Sequence, residues 1–215
     1  MTTPARASIV VATGNPHKVI EIREILGEVG IEVLSLNEVA SGDLAEPQED
    51  GSTFAENARL KAVGYARAIG RTVLADDSGL SVDALGGNPG IHSARWAGVG
   101  GTRAERDAAN NAKLQRELAA RPSASRGARF ICAMCLAAAD GSVIAETVGE
   151  FVGVIADSPR GANGFGYDPY FVVDASGRTS AELSPSEKNA RSHRGCAARA
   201  MAGFLARLRA EPDAS

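Results

Sequence analysis

The sequence predicts an α/β protein with a mixed, twisted sheet flanked by helices, folded as two lobes around a central cleft. Three observations predict it. Short apolar runs alternate with helix-period patterns through residues 8–121, the signature of parallel βα units. Two β-rich runs, 128–139 and 142–155, flank Asp140-Gly141, a hairpin turn that adds antiparallel strands. The 215 residues are 44% hydrophobic and 23% charged, enough to bury a core, so 1–215 reads as one domain of two lobes.

The elements follow in order. Ser8–Ala12 (SIVVA) is a buried strand. Asn15 caps and Pro16 opens a helix with Ile22, Ile25, Leu26 and Val29 at helical spacing, closed by Gly30. Ile31–Leu36 returns as a strand. Thr53 and Glu56 form a capping box for a helix running to Gly70. Arg71–Ala75 (RTVLA) is the next strand, ending in Asp76-Asp77. Thr102 and Glu105 cap a third helix that stops before Pro122, and the hairpin follows. A glycine loop at 161–166 leads to the apolar run Tyr170–Val173. Ser184-Pro185-Ser186-Glu187 is another capping signature. Gly195 interrupts before a last helix with Met201, Phe204, Leu205 and Leu208 on one stripe.

Charge and length exclude some functions. With 23 Lys+Arg against 26 Asp+Glu the net charge is -3, which offers no broad nucleic-acid surface. No apolar run approaches the roughly 18 residues of a membrane span. The apolar core near the N-terminus, IVVA, is too short for a signal peptide, so a cytoplasmic protein is expected. Of the three cysteines, Cys132 and Cys135 form a C-x-x-C inside a buried strand. Positions three apart point to opposite faces, so both read as inert core thiols and not as a redox pair or half a zinc site.

Four constellations carry candidate chemistry. Thr13-Gly14-Asn15-Pro16-His17-Lys18 sits at a strand-to-helix junction, where free N–H groups and the helix dipole favour phosphate. The competing reading is a helix cap with a surface lysine. Asp76-Asp77-Ser78-Gly79 places carboxylates at a strand end, where α/β sheets hold ligands, or simply decorates a turn. Strand alternation sends only one of the pair to the site; the other bonds to backbone or caps a turn. One or two carboxylates suffice for Mg²⁺, and the loop Glu46–Asp50 supplies another. Gly161–Pro169 alternates glycines with Phe165 and Tyr167 before Asp168, which offers a face and an acceptor to a planar base; alternatively its aromatics are core. Lys188, His193 and Arg194 bring donors near a chain reversal, or form a solvated basic turn. His17, His92 and His193 are too scattered to suggest a metal site. Together the four make an inventory for a nucleoside polyphosphate.

The segments TGNPHK (13–18), ENARLKA (56–62), LADDSGLSVDALGGNPGIHSARWAG (74–98), GFGYDPYF (164–171) and AELSPSEKNARSHRG (181–195) are recognisable as a set. In this order they resemble the inosine/xanthosine triphosphate pyrophosphatase family, across nearly the whole chain. His92 stands where relatives often carry tyrosine, and Trp96 where another aromatic is common. The resemblance implies two α/β lobes around a cleft, a homodimer and Mg²⁺. It implies that Asp77 is the proton acceptor and a metal contact, with Glu49 the second acidic metal residue. Thr13, Gly14, Asn15, Pro16, His17, Lys18 and Lys61 would hold the triphosphate. Ser78, Phe165, Gly166, Tyr167, Asp168, Lys188, His193 and Arg194 would contact the nucleotide, the last ones around the base. The implied activity is hydrolysis of ITP, dITP and XTP to monophosphate and pyrophosphate. Base chemistry separately suggests a pocket that aims Arg194 or a backbone N–H at the 6-oxo group, which would set donor against donor for adenine. The rivals are a nucleotide sensor without turnover and a phosphatase releasing orthophosphate.

Overall fold

A computed structural model describes residues 8–40 and 44–210. The remainder of the expected 1–215 domain lies outside the described residues. Within them the strands are β1 (Ser8–Ala12), β2 (Glu32–Ser35), β3 (Val73–Val82), β4 (Gly127–Ala137), β5 (Val143–Ile155) and β6 (Phe171–Val172). They form one sheet in the order β2-β1-β3-β4-β5-β6. β2, β1 and β3 are parallel, whereas β6 pairs antiparallel with β5, so the sheet is mixed. The helices are α1 (Pro16–Glu28), α2 (Leu36–Val39), α3 (Phe54–Ile69), α4 (Arg103–Ala119), α5 (Pro185–Arg191) and α6 (His193–Ala210).

The capping residues read from the sequence do cap. The Asn15 side chain accepts from the His17 amide, and Thr53/Glu56, Thr102/Glu105 and Ser184/Glu187 each close a capping box. The hairpin turns at Asp140-Gly141, where the Gly141 amide donates to the Ala138 carbonyl.

The chain divides into two compact units, and the division falls inside β3, β4 and β5. The first comprises the described residues of Met1–Asp77, Cys132–Gly149 and Arg194–Ser215. It is layered. Ile22 and Leu26 of α1 and Ala198 and Met201 of α6 bury one face of the sheet with Val11, Leu74 and Cys132. Ala58, Ala62 and Tyr65 of α3 bury the opposite face with Val10, Val73 and Cys135. The two cysteines therefore do lie on opposite faces. Burial pushes both thiols up, Cys135 to about 11 and Cys132 further, so neither is a reactive thiolate. The second unit, Ser78–Ile131 and Glu150–His193, packs Leu80, Val82, Leu114, Phe130, Phe171 and Leu183 into one core.

Three boundaries differ from the sequence expectation. β3 does not stop at Ala75; it runs through Asp76-Asp77 to Val82, with Leu80 and Val82 fully buried. The polar stretch DDSG hid that continuation. The second strand ends at Ser35, because Ser35 caps the short α2 through Glu38. Gly195 does not interrupt a helix. The break falls at Ser192, whose extended backbone (ψ 157°) ends α5, and α6 passes through Gly195.

Candidate active site

Register places the first cluster. β1 ends at Ala12, which pairs with Ala75 of β3, so Thr13-Gly14 and Asp76-Asp77 leave the paired segment at one level. Alternation then separates the two aspartates. Asp76 is 1% exposed. Its Oδ2 meets Lys18 Nζ at 2.8 Å and Arg194 Nε at 3.4 Å, and accepts from Cys132 Sγ at 3.7 Å. Arg194, itself 2% exposed, also pairs through Nη1 with Glu21 Oε2 at 2.7 Å. Burial alone would raise the Asp76 carboxyl, but Lys18 and Arg194 hold it well below the usual carboxylate range. The expectation that the aspartate turned away from the site bonds to backbone or caps a turn is thus corrected: Asp76 is a buried counter-ion for two cations.

Asp77 is half-buried, and its Oδ2 accepts from Asn57 Nδ2 at 3.2 Å. The Asn57 Oδ1 in turn accepts from the Gly51 amide at 2.9 Å. A Cβ on Gly51 would stand 2.7 Å from that oxygen, so only glycine lets the loop approach α3 this closely. Burial pushes the Asp77 carboxyl above its ordinary value; Lys61, the Asn57 amide and Lys18 oppose the rise and Glu49 adds to it. Lys61 Nζ pairs with Glu49 Oε2 at 3.0 Å and donates to the Asp76 carbonyl at 3.2 Å.

At the β1–α1 junction the Asn15 amide donates to Thr13 Oγ1 at 3.2 Å, so the two polar side chains shape the turn itself. A cavity of about 580 Å³ opens beside Thr13, Gly14 and Pro16, lined further by Leu36, Leu44 and Tyr65.

The second cluster lies within the second unit. Asp168 is 3% exposed, and its Oδ2 takes Lys188 Nζ at 2.6 Å and the Phe165 amide at 2.8 Å. The carboxylate expected to meet a base directly is therefore committed to the loop. Phe165 remains half-buried, with Lys188 Nζ 5.1 Å from its ring centroid. Tyr167 does not offer a stacking face. It is buried in the core and its hydroxyl donates to the Ser93 carbonyl at 2.9 Å. His193 stacks on Phe130 at 4.9 Å, in the same unit as Lys188, and Ser78 is half-buried in β3.

The structure thus joins Lys18, Lys61, Glu49, Asp76, Asp77 and Arg194 in one set, and Phe165, Asp168 and Lys188 in another. Arg194, expected at the base, belongs to the first set, because the helix that carries it starts at His193 and packs on the first unit. Asn57 and Glu21 were not singled out by sequence reasoning, and Cys132 was read only as an inert core thiol. Asn57 lies inside the matched segment ENARLKA, but a lone helical asparagine carries no chemical signal.

Among the described residues no group of three or more His, Cys, Asp or Glu side chains is placed to hold a metal ion. Mg²⁺ commonly needs only one or two carboxylates, completing its shell with water and substrate phosphate. Lys61 Nζ bridges Glu49 Oε2 at 3.0 Å and the Asp76 carbonyl at 3.2 Å, so Glu49 lies beside the stretch of β3 that carries Asp77. Two such carboxylates fit a hard divalent cation.

A mixed α/β sheet with paired lysines, a half-buried carboxylate and a glycine–aromatic loop defines a class of protein equipped for phosphate-bearing ligands. A model of the Ham1 family matches residues 9–204, and the chain belongs to that family. It is 50% identical to the dITP/XTP pyrophosphatase of Frankia alni over 92% of this chain and 96% of that one. It is 44% identical to the dITP/XTP pyrophosphatase of an Anaeromyxobacter species, over 94% and 98%. Among solved structures it is similar to a HAM1 protein from Coxiella burnetii, with TM-score 0.82 and 40% identity over 94% of this chain and 99% of that one. A dITP/XTP pyrophosphatase from Mycobacterium abscessus follows at TM-score 0.69 and 43% identity, over 92% and 98%.

Proposed function

We propose that this protein hydrolyses non-standard purine nucleoside triphosphates, ITP, dITP and XTP, to the nucleoside monophosphate and pyrophosphate. The observation that carries the reading is the state of Asp77. It is a half-buried carboxylate with a raised proton affinity, anchored by Asn57 beside Lys61 and Glu49. A general base works best when its proton affinity is tuned upward toward the working pH. Asp77 takes a proton from the attacking water, whose oxygen bonds to phosphorus as the α–β anhydride breaks and pyrophosphate leaves. Lys18 and Lys61 hold the triphosphate and neutralise the leaving group's charge; such electrostatic placement supplies most of phosphoryl-transfer catalysis. The junction from Thr13 through Gly14, Asn15, Pro16 and His17 would meet the same phosphates through the Gly14 amide and the positive end of α1, since the Asn15 and His17 amides are used within the turn and Pro16 has none. Glu49 and Asp77 would hold Mg²⁺, which when bound offsets phosphate charge.

The base falls to the second unit in this reading. Phe165 gives a stacking face and Gly166 its close backbone. The Lys188 ammonium retains donors beyond its bond to Asp168 for a 6-oxo acceptor, and adenine would set an amino group against that cation. Ser78, Tyr167 and His193 support this end from within the unit. The relatives' names support the substrate class. The homodimer follows the family resemblance, and light scattering of the purified protein tests it. No described helix is long and apolar enough to cross a membrane.

Digestion of ITP with Mg²⁺, with products resolved by chromatography, tests the activity. Equal amounts of IMP and pyrophosphate are expected. Orthophosphate with IDP would replace the reading by a terminal phosphatase, and bound but unchanged ITP by a sensor.

A further inference from the structure

The loop assigned to the base is gripped by a helix that the functional reading leaves unused. Arg103, Asp107 and Asn111 recur every four residues on α4 and so share one stripe. Each of them reaches the loop. Asp107 Oδ2 accepts from the Gly166 amide at 3.1 Å, and Asn111 Nδ2 donates to the Gly166 carbonyl at 2.9 Å. The Arg103 guanidinium lies 4.4 Å from the Phe165 ring centroid, with its Nε 3.8 Å from Asp107 Oδ2. Asp168 meanwhile takes the Phe165 amide at 2.8 Å. Three side chains therefore fix two consecutive residues, Phe165 and Gly166, in a loop where Gly164 stands at φ +77° and Gly166 at φ +61°. Glycines at positive φ leave a loop free to wander unless it is tied down, and here a Cβ on Gly164 would strike the Asp168 carboxylate.

We infer that Asp107 and Asn111 are positioning residues that lock the Phe165 ring as a preformed stacking face for the planar base, with Arg103 laid against that ring, and so help set base selectivity. The inference rests on the proposal that the Phe165 loop takes the base. Preorganisation of this kind acts on affinity, since a loop already ordered loses less freedom on binding. Its loss should appear in KM for the purine substrate and leave kcat, governed by the Asp77 cluster, nearly intact.

The test is steady-state kinetics on ITP and ATP for Asp107→Ala, Asn111→Ala and Phe165→Ala, with thermal melting of each. Losing either hydrogen bond should raise KM for ITP about tenfold, keep kcat within about twofold and lower the ITP-to-ATP ratio of kcat/KM. Asp107→Asn keeps an acceptor for the Gly166 amide and should restore near-normal KM. Asn111→Asp has the same shape but turns an acceptor toward the Gly166 carbonyl, and should behave like Asn111→Ala. Unchanged KM and ratio in the Asp107 and Asn111 variants, while Phe165→Ala raises KM, would overturn the inference alone. Unchanged KM in Phe165→Ala would overturn the base reading and the inference with it.

Discussion

Strand alternation gives Asp76 and Asp77 opposite surroundings, and the contrast assigns their roles. Asp76, enclosed by Lys18, Arg194 and Cys132, is held ionised and spends its charge on placing cations. Asp77 accepts from the Asn57 amide, and burial raises its proton affinity, which suits the proton-accepting role proposed for it. Arg194→Met should therefore weaken the fold more than the chemistry. It leaves a buried carboxylate short of a partner, a loss of about 3–5 kcal/mol, or a fall in Tm on the order of 10 °C by calorimetry. Variant enzyme that remains folded at low temperature should keep its ITP-to-ATP preference; loss of that preference with unchanged stability would return Arg194 to the base. The sequence made one aspartate of the pair functional from alternation alone, but it could not show that Arg194 travels with the other. Only the helix start at His193 decides that.

Elements place these residues, and their ends were the most legible part of the sequence. Every capping pair singled out closes as expected because Ser or Thr with Glu three residues on satisfies end-group donors locally. β3 was read too short, since hydrophobic periodicity fades across DDSG and the pairing that extends the strand comes from distant residues. The loop before α3 offers a sharper test. Gly51→Ala forces Asn57 off Asp77 and should lower kcat about tenfold with little loss of Tm, a change read by steady-state assay. At α5, the Ser184 amide, Arg178 and the Ser184 hydroxyl hold the Glu187 carboxyl down to about 2 from 4.5. A lowered folded value means the cap stabilises fully above pH 4.5 and loses its effect as pH falls through about 2. The difference in Tm between wild type and Glu187→Gln should then be constant near neutrality and shrink toward pH 2; a difference that grows on acidification would contradict the assignment.

At the scale of the molecule, the two units divide the labour that the functional reading requires. The phosphate-handling residues fall in the first and the aromatic loop in the second. Hydrogen exchange tests this directly. Tripolyphosphate should slow exchange at 13–18 and inosine at 164–168, each leaving the other segment unchanged. The central claim is narrower: Asp77 accepts the proton in the step that releases pyrophosphate. Single-turnover hydrolysis of saturating ITP with Mg²⁺ by Asp77→Asn, beside wild type and with ITP binding measured in parallel, tests it most directly. The account predicts retained binding with the rate of pyrophosphate release reduced between ~10²- and ~10⁴-fold. Release within a few-fold of wild type would contradict it.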